Sequence, residues 1–195
     1  MSDTPDWRAL QTLAHRTFAD RLARVTDWTA PTPDTEWNVR QLVSHVIEEQ
    51  QWVPPLLAGR TIAEARSRIE PLRADLVAEW ARYSARAAEA WAAADLDAVV
   101  QLSYDAVPAR QYLAEQVCDV TVHTWDLARA IGADEQLPGE LVEAAWSVLE
   151  PQQDTLQASG LYAPAVPVPE DAPLQTRLLA LTGRRIAVAA AEPPQ

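Results

Sequence analysis

Two of the three histidines in this 195-residue chain stand where, with one carboxylate, they can share a metal ion. Asp119 and His123 lie four residues apart in the run Glu115-Gln-Val-Cys-Asp-Val-Thr-Val-His-Thr-Trp-Asp-Leu127. On a helix, an i, i+4 pair projects from one face with Cβ atoms about 5–6 Å apart, so both side chains can reach one cation. His45, far upstream in Leu42-Val-Ser-His-Val-Ile-Glu-Glu49, offers a third ligand from a different helix. Three protein ligands leave a coordination position for water or substrate, the arrangement of catalytic rather than structural zinc. His45, Asp119 and His123 are therefore the expected metal ligands.

Other readings attach to the same residues. Glu49 follows His45 by four residues and offers either a fourth ligand or a different carboxylate. A carboxylate and an imidazole on one helix face also suit an ordinary hydrogen bond. Asp126, three residues after His123, can reach back to the imidazole and fix its tautomer, or stand solvated at the surface. Cys118 adjoins Asp119 but is turned about 140° round the helix from His123, which points it to the core. His15 reads as a partly buried structural residue. Most of the 8 tryptophans fall at helical spacing and read as packing. Trp52, seven residues after His45, shares that residue's face.

The positioning elements follow from apolar periodicity. Leu10, Leu13, Ala14, Phe18, Leu22 and Val25 recur at three- and four-residue steps and predict a helix from about Pro5 to Asp27. Asn38, with Gln41 three residues on, resembles a capping box opening a second helix over Val39–Leu57, with Pro54-Pro55 perturbing its end. A short helical piece is expected around Ile62–Ile69 and a long helix over Glu70–Ala94. A strand-like or extended connector falls between Leu96 and Val107. Pro108 opens a fourth long helix, Ala109–Ile131, closed by Gly132 and carrying Asp119 and His123. A further helix over Gly139–Gln153 and a short one over Leu174–Leu181 complete the pattern. Residues 1–158 are expected to form the helical bundle, and 159–195 a proline-rich wrapping tail with a short helix, part of the same domain, frayed from Ala190.

Composition narrows the function classes. Glycine is scarce at 5 residues while alanine, leucine, glutamate and arginine are abundant, which favours an all-α chain. A formal net charge of -12 opposes a phosphate backbone, so no nucleic-acid partner is expected. One cysteine excludes an internal disulfide and fits a reducing cytoplasm. The first residues lack the basic start and apolar stretch of a signal peptide, and no apolar run approaches a membrane span. A homodimer is allowed, but no apolar stripe specifies one.

Three strings resemble a known family: Trp37-Asn-Val-Arg-Gln-Leu-Val-Ser-His45, Asp119-Val-Thr-Val-His-Thr-Trp-Asp-Leu-Ala-Arg-Ala-Ile-Gly132, and the tail from Tyr162-Ala-Pro-Ala-Val-Pro to Leu-Thr-Gly183-Arg. They are similar to the DinB-like metalloenzyme superfamily, and within it to the small actinobacterial metal-binding group related to mycothiol-dependent maleylpyruvate isomerase. The resemblance spans most of the chain. It implies a four-helix bundle with a long crossover, a short extra helix or helices and an extended proline-rich C-terminal segment. It also implies a divalent metal, commonly zinc or nickel, on His45, Asp119 and His123. Many members carry a third histidine where Asp119 stands and the isomerase carries glutamate; the isomerase also has an additional C-terminal domain. The expected reaction is therefore not isomerisation of maleylpyruvate itself.

The implied chemistry is a thiol-dependent transferase or isomerase. The ion holds a low-molecular-weight thiol such as mycothiol as thiolate, which attacks a small electrophilic substrate, and arginines hold a substrate carboxylate in bidentate fashion. One alternative is a hydrolase using metal-bound water, with Glu48 or Glu49 as base. Another is a non-catalytic, metal-stabilised binding protein, distinguished by a fourth protein ligand closing the coordination sphere.

Overall fold

The computed structural model describes residues 5–34, 36–155 and 163–186. Among them are seven α-helices, a short 3-10 turn and one two-stranded hairpin, so the chain is all-α apart from the connector.

Local hydrogen bonding sets the helix ends. Helix α1 (Trp7–Leu22) starts where the Asp6 carboxylate accepts from the Arg8 and Ala9 amides at 3.2 and 3.1 Å. It stops short of the expected Asp27, whose carboxylate instead accepts from the Thr29 amide and hydroxyl at 2.8 and 2.7 Å in an Asx turn. Helix α2 (Val39–Leu57) opens on the expected capping box, with Asn38 and Gln41 exchanging bonds at 3.0 Å each way, and runs through Pro54 and Pro55. Helix α3 is brief (Ile62–Arg66), capped by Thr61 and Glu64.

Helix α4 (Leu76–Ala93) begins later than the expected Glu70, at an Asp75 cap. Pro71 disfavours helical backbone at Glu70, the Asp75 side chain accepts from the Ala78 amide at 3.1 Å, and a contact from another element adds to both. The Gln51 side-chain amide clasps the Glu70 backbone, donating to its carbonyl at 3.1 Å and accepting from its N–H at 2.8 Å. Strands β1 (Val99–Gln101) and β2 (Ala106–Pro108) then pair antiparallel, Val100 opposite Val107. Helix α5 (Ala109–Ala130) follows, then α6 (Gly139–Leu149), which tightens into the 3-10 turn Glu150–Gln152 at Pro151 before helical backbone resumes at Gln153. The last described helix, α7, spans Leu174–Leu181 as its sequence predicts.

Helices α1, α2, α4 and α5 form a four-helix bundle in which α1 packs on α4 and α5, and α2 packs on the same two. Hydrogen bonds give the directions. Arg8, at the start of α1, donates to the Trp91 and Ala94 carbonyls at the end of α4 at 2.9 and 2.7 Å, so these helices are antiparallel. Arg21, at the end of α1, donates to the Asp134 carbonyl beyond α5 at 2.9 Å, so α1 and α5 run parallel. The α2–α5 pairs Gln50–Gln116 and His45–Asp119 run in opposite senses along the two helices. The order is up, down, down, up. Two consecutive parallel helices, α2 and α4, require the chain to return the length of the bundle, and the segment containing α3 is that long crossover.

The main core holds Phe18, Leu22, Leu42, Ile47, Trp91 and Leu113, all almost fully buried. A second apolar cluster joins Cys118 and Trp125 of α5 to Leu141's neighbours Val142 and Ala145 on α6 and to Leu178, Leu179 and Leu181 of α7. α5 is thereby enclosed on nearly every side. The chain after α7 turns at Gly183, whose φ of +80° and closeness to Ala163 exclude a side chain. The boundary expected between 158 and 159, and the fraying expected from Ala190, lie outside the described residues. No helix among the described residues is long and apolar enough to cross a membrane.

Candidate metal centre

The capping box at Asn38 fixes where α2 starts, and His45 lies two turns further along. Asp119 and His123 sit mid-way along α5, which is antiparallel to α2, so the three side chains meet between the two helices. One ligand atom from each of His45, Asp119 and His123 lies within 4.8 Å of the other two. Asp119 Oδ1 is 3.4 Å from His123 Nε2 and 3.8 Å from His45 Nε2. Ligands about 2.0–2.2 Å from one zinc ion lie less than about 4.4 Å apart, so both pairs fit a shared ion and the third separation needs little closure.

Electrostatics mark the same point. Burial alone pushes both imidazoles down, but the Asp119 carboxylate outweighs it, lifting His123 to about 9 and raising His45 as well. Burial pushes the Asp119 carboxyl up, yet the two imidazoles hold it far below the usual carboxylate range. Positive charge is thus strongly favoured between these groups. Asp119 Oδ2 is buried with no hydrogen-bond partner, an unmatched acceptor that a cation also satisfies. The donor set of two imidazoles and one carboxylate suits a first-row divalent metal ion.

A second layer of polar contacts fixes His123. Its Nδ1 lies 3.0 Å from Asp126 Oδ2, and Asp126 is completely buried. Arg184, beyond α7, reaches the same carboxylate through both arms, Nε to Oδ1 at 3.2 Å and a terminal nitrogen to Oδ2 at 2.6 Å. It also donates to the Thr182 carbonyl at 2.8 Å and stands 3.8 Å from Asp34. Burial would raise Asp126, but bonds from His123 and Arg184 hold it below its ordinary value. A carboxylate held ionised only accepts, so His123 Nδ1 carries a proton whatever the charge of the ring, and Nε2 is the nitrogen left to face Asp119 and a cation. Of the two sequence readings of Asp126, the structure supports the tautomer-fixing one. Trp37 closes one side, its ring 4.6 Å from His45 and 5.7 Å from His123.

The triad opens on a cleft of about 750 Å³ lined also by Glu49, Trp52, Arg66, Tyr104 and Gln116. Glu49 is not among the converging ligand atoms. It accepts from Gln116 at 3.4 Å, and its carboxyl is raised by burial and then by the charge of Asp119. Glu48 is exposed and does not line the cleft. Trp52 does line it, with the Arg66 guanidinium 5.9 Å over its ring. Cys118 is core, and burial and then Asp119 keep its thiol protonated far above its ordinary range. His15 packs edge-on against Trp80 at 5.1 Å, and burial pushes it to about 4, a structural imidazole away from the cleft.

Sequence reasoning missed Arg184, 58 residues from Asp126, and Gln116, which lies three residues before Asp119 on α5 and reaches across to Glu49 on α2. Only the glycine turn before Arg184 hinted at a chain reversal there.

Residues 11–128 match the family of the mycothiol maleylpyruvate isomerase N-terminal domain. The chain is 33% identical over 183 residues to an uncharacterized protein of Mycobacterium tuberculosis, in strains CDC 1551 / Oshkosh and H37Rv, a match covering 89% of this chain and 94% of that protein. No solved structure matches it. With 61% of its length in that match and a bundle of the expected topology, the chain belongs to the mycothiol maleylpyruvate isomerase N-terminal domain family, a DinB-like family.

Proposed function

We propose that this protein is a divalent-metal-dependent enzyme, a transferase or isomerase, that uses a low-molecular-weight thiol of the mycothiol type as nucleophile on a small electrophilic substrate. The observation that carries the reading is the convergence of His45, Asp119 and His123 within 4.8 Å on a cleft of about 750 Å³. These three residues are the proposed ligands of zinc or nickel. The ion, when bound, supplies Lewis acidity that favours the deprotonated sulfur of the thiol near neutral pH. Asp126 and Arg184 hold the proton on His123 Nδ1, and Trp37 shields both imidazoles from water on one side. Glu49, whose raised carboxyl faces the cleft, holds and releases a proton beside the reacting atoms. Arg66, next to Trp52, takes a substrate carboxylate in bidentate fashion, while Arg184 is committed to Asp126. A single buried, protonated cysteine leaves the nucleophile to the small thiol and fits a cytoplasmic setting.

Glu49 also supports a second reading, a hydrolase in which it serves as general base toward metal-bound water. Elemental analysis of purified protein, followed by turnover of a chlorodinitroarene with and without mycothiol and with and without chelator, tests the first reading. The expected result is one zinc or nickel per chain and transfer that needs both metal and thiol. Hydrolysis of an activated ester that persists without thiol and disappears in Glu49→Gln selects the second. Bound metal with neither activity points to a metal-stabilised binding protein.

A further inference from the structure

The contact between Arg184 and Asp126 is the one by which the C-terminal segment reaches the carboxylate behind His123. Asp126 belongs to α5 and has no exposed surface; Arg184 follows α7, which packs on α6 and shares an apolar cluster with Cys118 and Trp125 of α5. Gly183 makes the contact possible. Its positive φ lets the Arg184 amide bond back to the Leu179 carbonyl at 2.8 Å, closing α7 and turning the next side chain inward, where Arg184 is 6% exposed. The guanidinium then meets Asp126 through both arms, with one nitrogen on the same Oδ2 that receives His123 Nδ1.

We propose that Arg184 is a positioning residue for the metal centre, and that seating of the C-terminal segment and occupation of His45, Asp119 and His123 by a divalent cation promote each other. This rests on the metal reading given above. With Arg184 in place, the Asp126 carboxylate is held through both oxygens and its bond to His123 Nδ1 aims Nε2 at the site. With Arg184 withdrawn, Asp126 loses both of those bonds, and the His123 ring loses the fixed partner that orients it. Because binding linkage is reciprocal, an ion that needs His123 Nε2 so aimed favours the seated arginine to the same degree.

The test uses the full chain with zinc or cobalt(II) as probe. Zinc affinity is measured by competition with a chromophoric chelator in wild type, Arg184→Met and Arg184→Lys, together with melts of each metal-free protein. The expected result is zinc binding weakened about 10–100-fold in Arg184→Met, the usual effect of losing a group that orients a ligand. Arg184→Lys, which keeps a cation but loses the two-armed grip, recovers part of it. In the same experiment, hydrogen exchange on wild type reads the reverse direction: zinc slows exchange at the Arg184 and Thr182 amides and leaves α4 unchanged. A purely structural arginine lowers the metal-free melting temperature with unchanged zinc affinity and cobalt spectrum in the folded variant, and that result overturns the proposal. Should Arg184→Met not fold, Arg184→Lys and the wild-type exchange experiment decide, and zinc-insensitive exchange at Arg184 overturns it. Wild type that binds no zinc or cobalt at all defeats the metal reading itself, a distinct outcome.

Discussion

At the level of single residues, the site is a competition between protons and a cation for one set of lone pairs. In the metal-free protein His123 has a value of about 9, against 6.5 for an ordinary histidine. A raised value means that protonation stabilises the fold fully below about pH 6.5, and that this contribution fades as the pH climbs to about 9. Metal binding needs the neutral imidazole, so zinc affinity runs the other way and increases over the same window. Asp119→Asn separates these effects because it keeps the shape and removes the charge that lifts His123. The metal-free variant should show a melting temperature nearly flat from pH 6.5 to 9, where wild type falls, and zinc affinity lower by more than about 100-fold. Thermal melts and zinc titrations at several pH values check both. A wild-type melting temperature that rises with pH over this range contradicts the assigned charge state.

At the level of elements, the segment that carries Arg184 depends on a backbone turn that only glycine accommodates. A Cβ on Gly183 would lie 2.6 Å from that of Ala163 at a φ of +80°, whereas one on Gly132, at +65°, meets nothing within 4 Å. Gly132→Ala should therefore cost about 1–2 kcal/mol, the penalty of a left-handed residue alone. Gly183→Ala adds a backbone clash and should cost more, a ranking that urea denaturation of the two variants measures. Elements bounded by local chemistry were legible in sequence: α2 by the Asn38–Gln41 box, α7 by Pro173 and Gly183, and the Asp119–His123 pair by helical spacing. The start of α4 was only half legible: Pro71 and the Asp75 cap are written in the local sequence, whereas the clasp of Gln51 on Glu70 comes from another element. Arg184 was hidden, since nothing periodic ties it to Asp126. Glu49's exclusion from the ligand set depends on how α2 is rotated against α5, which spacing along one helix does not encode.

At the level of the whole molecule, the proposed ion bridges α2 to α5, two helices separated in sequence by the crossover, α4 and the hairpin. It thus fastens the two halves of the up, down, down, up bundle at one point, and a ligand that binds only the folded arrangement must stabilise all of it. The gain follows the ratio of free metal to its dissociation constant, about 2.7 kcal/mol at a hundredfold excess. For a chain of this size each kcal/mol moves the melting temperature by roughly 2–4 °C, so zinc at that excess should raise it by about 5–11 °C. The rise should grow with the logarithm of free zinc and reverse on adding chelator. A net charge of -12 attracts cations in general, so magnesium at equal concentration serves as the control for diffuse screening. Zinc that shifts wild type but not Asp119→Asn, with magnesium shifting neither, assigns the effect to the point where the three side chains converge. Equal shifts in both proteins assign it to surface charge, and the bundle then holds together without a central ion.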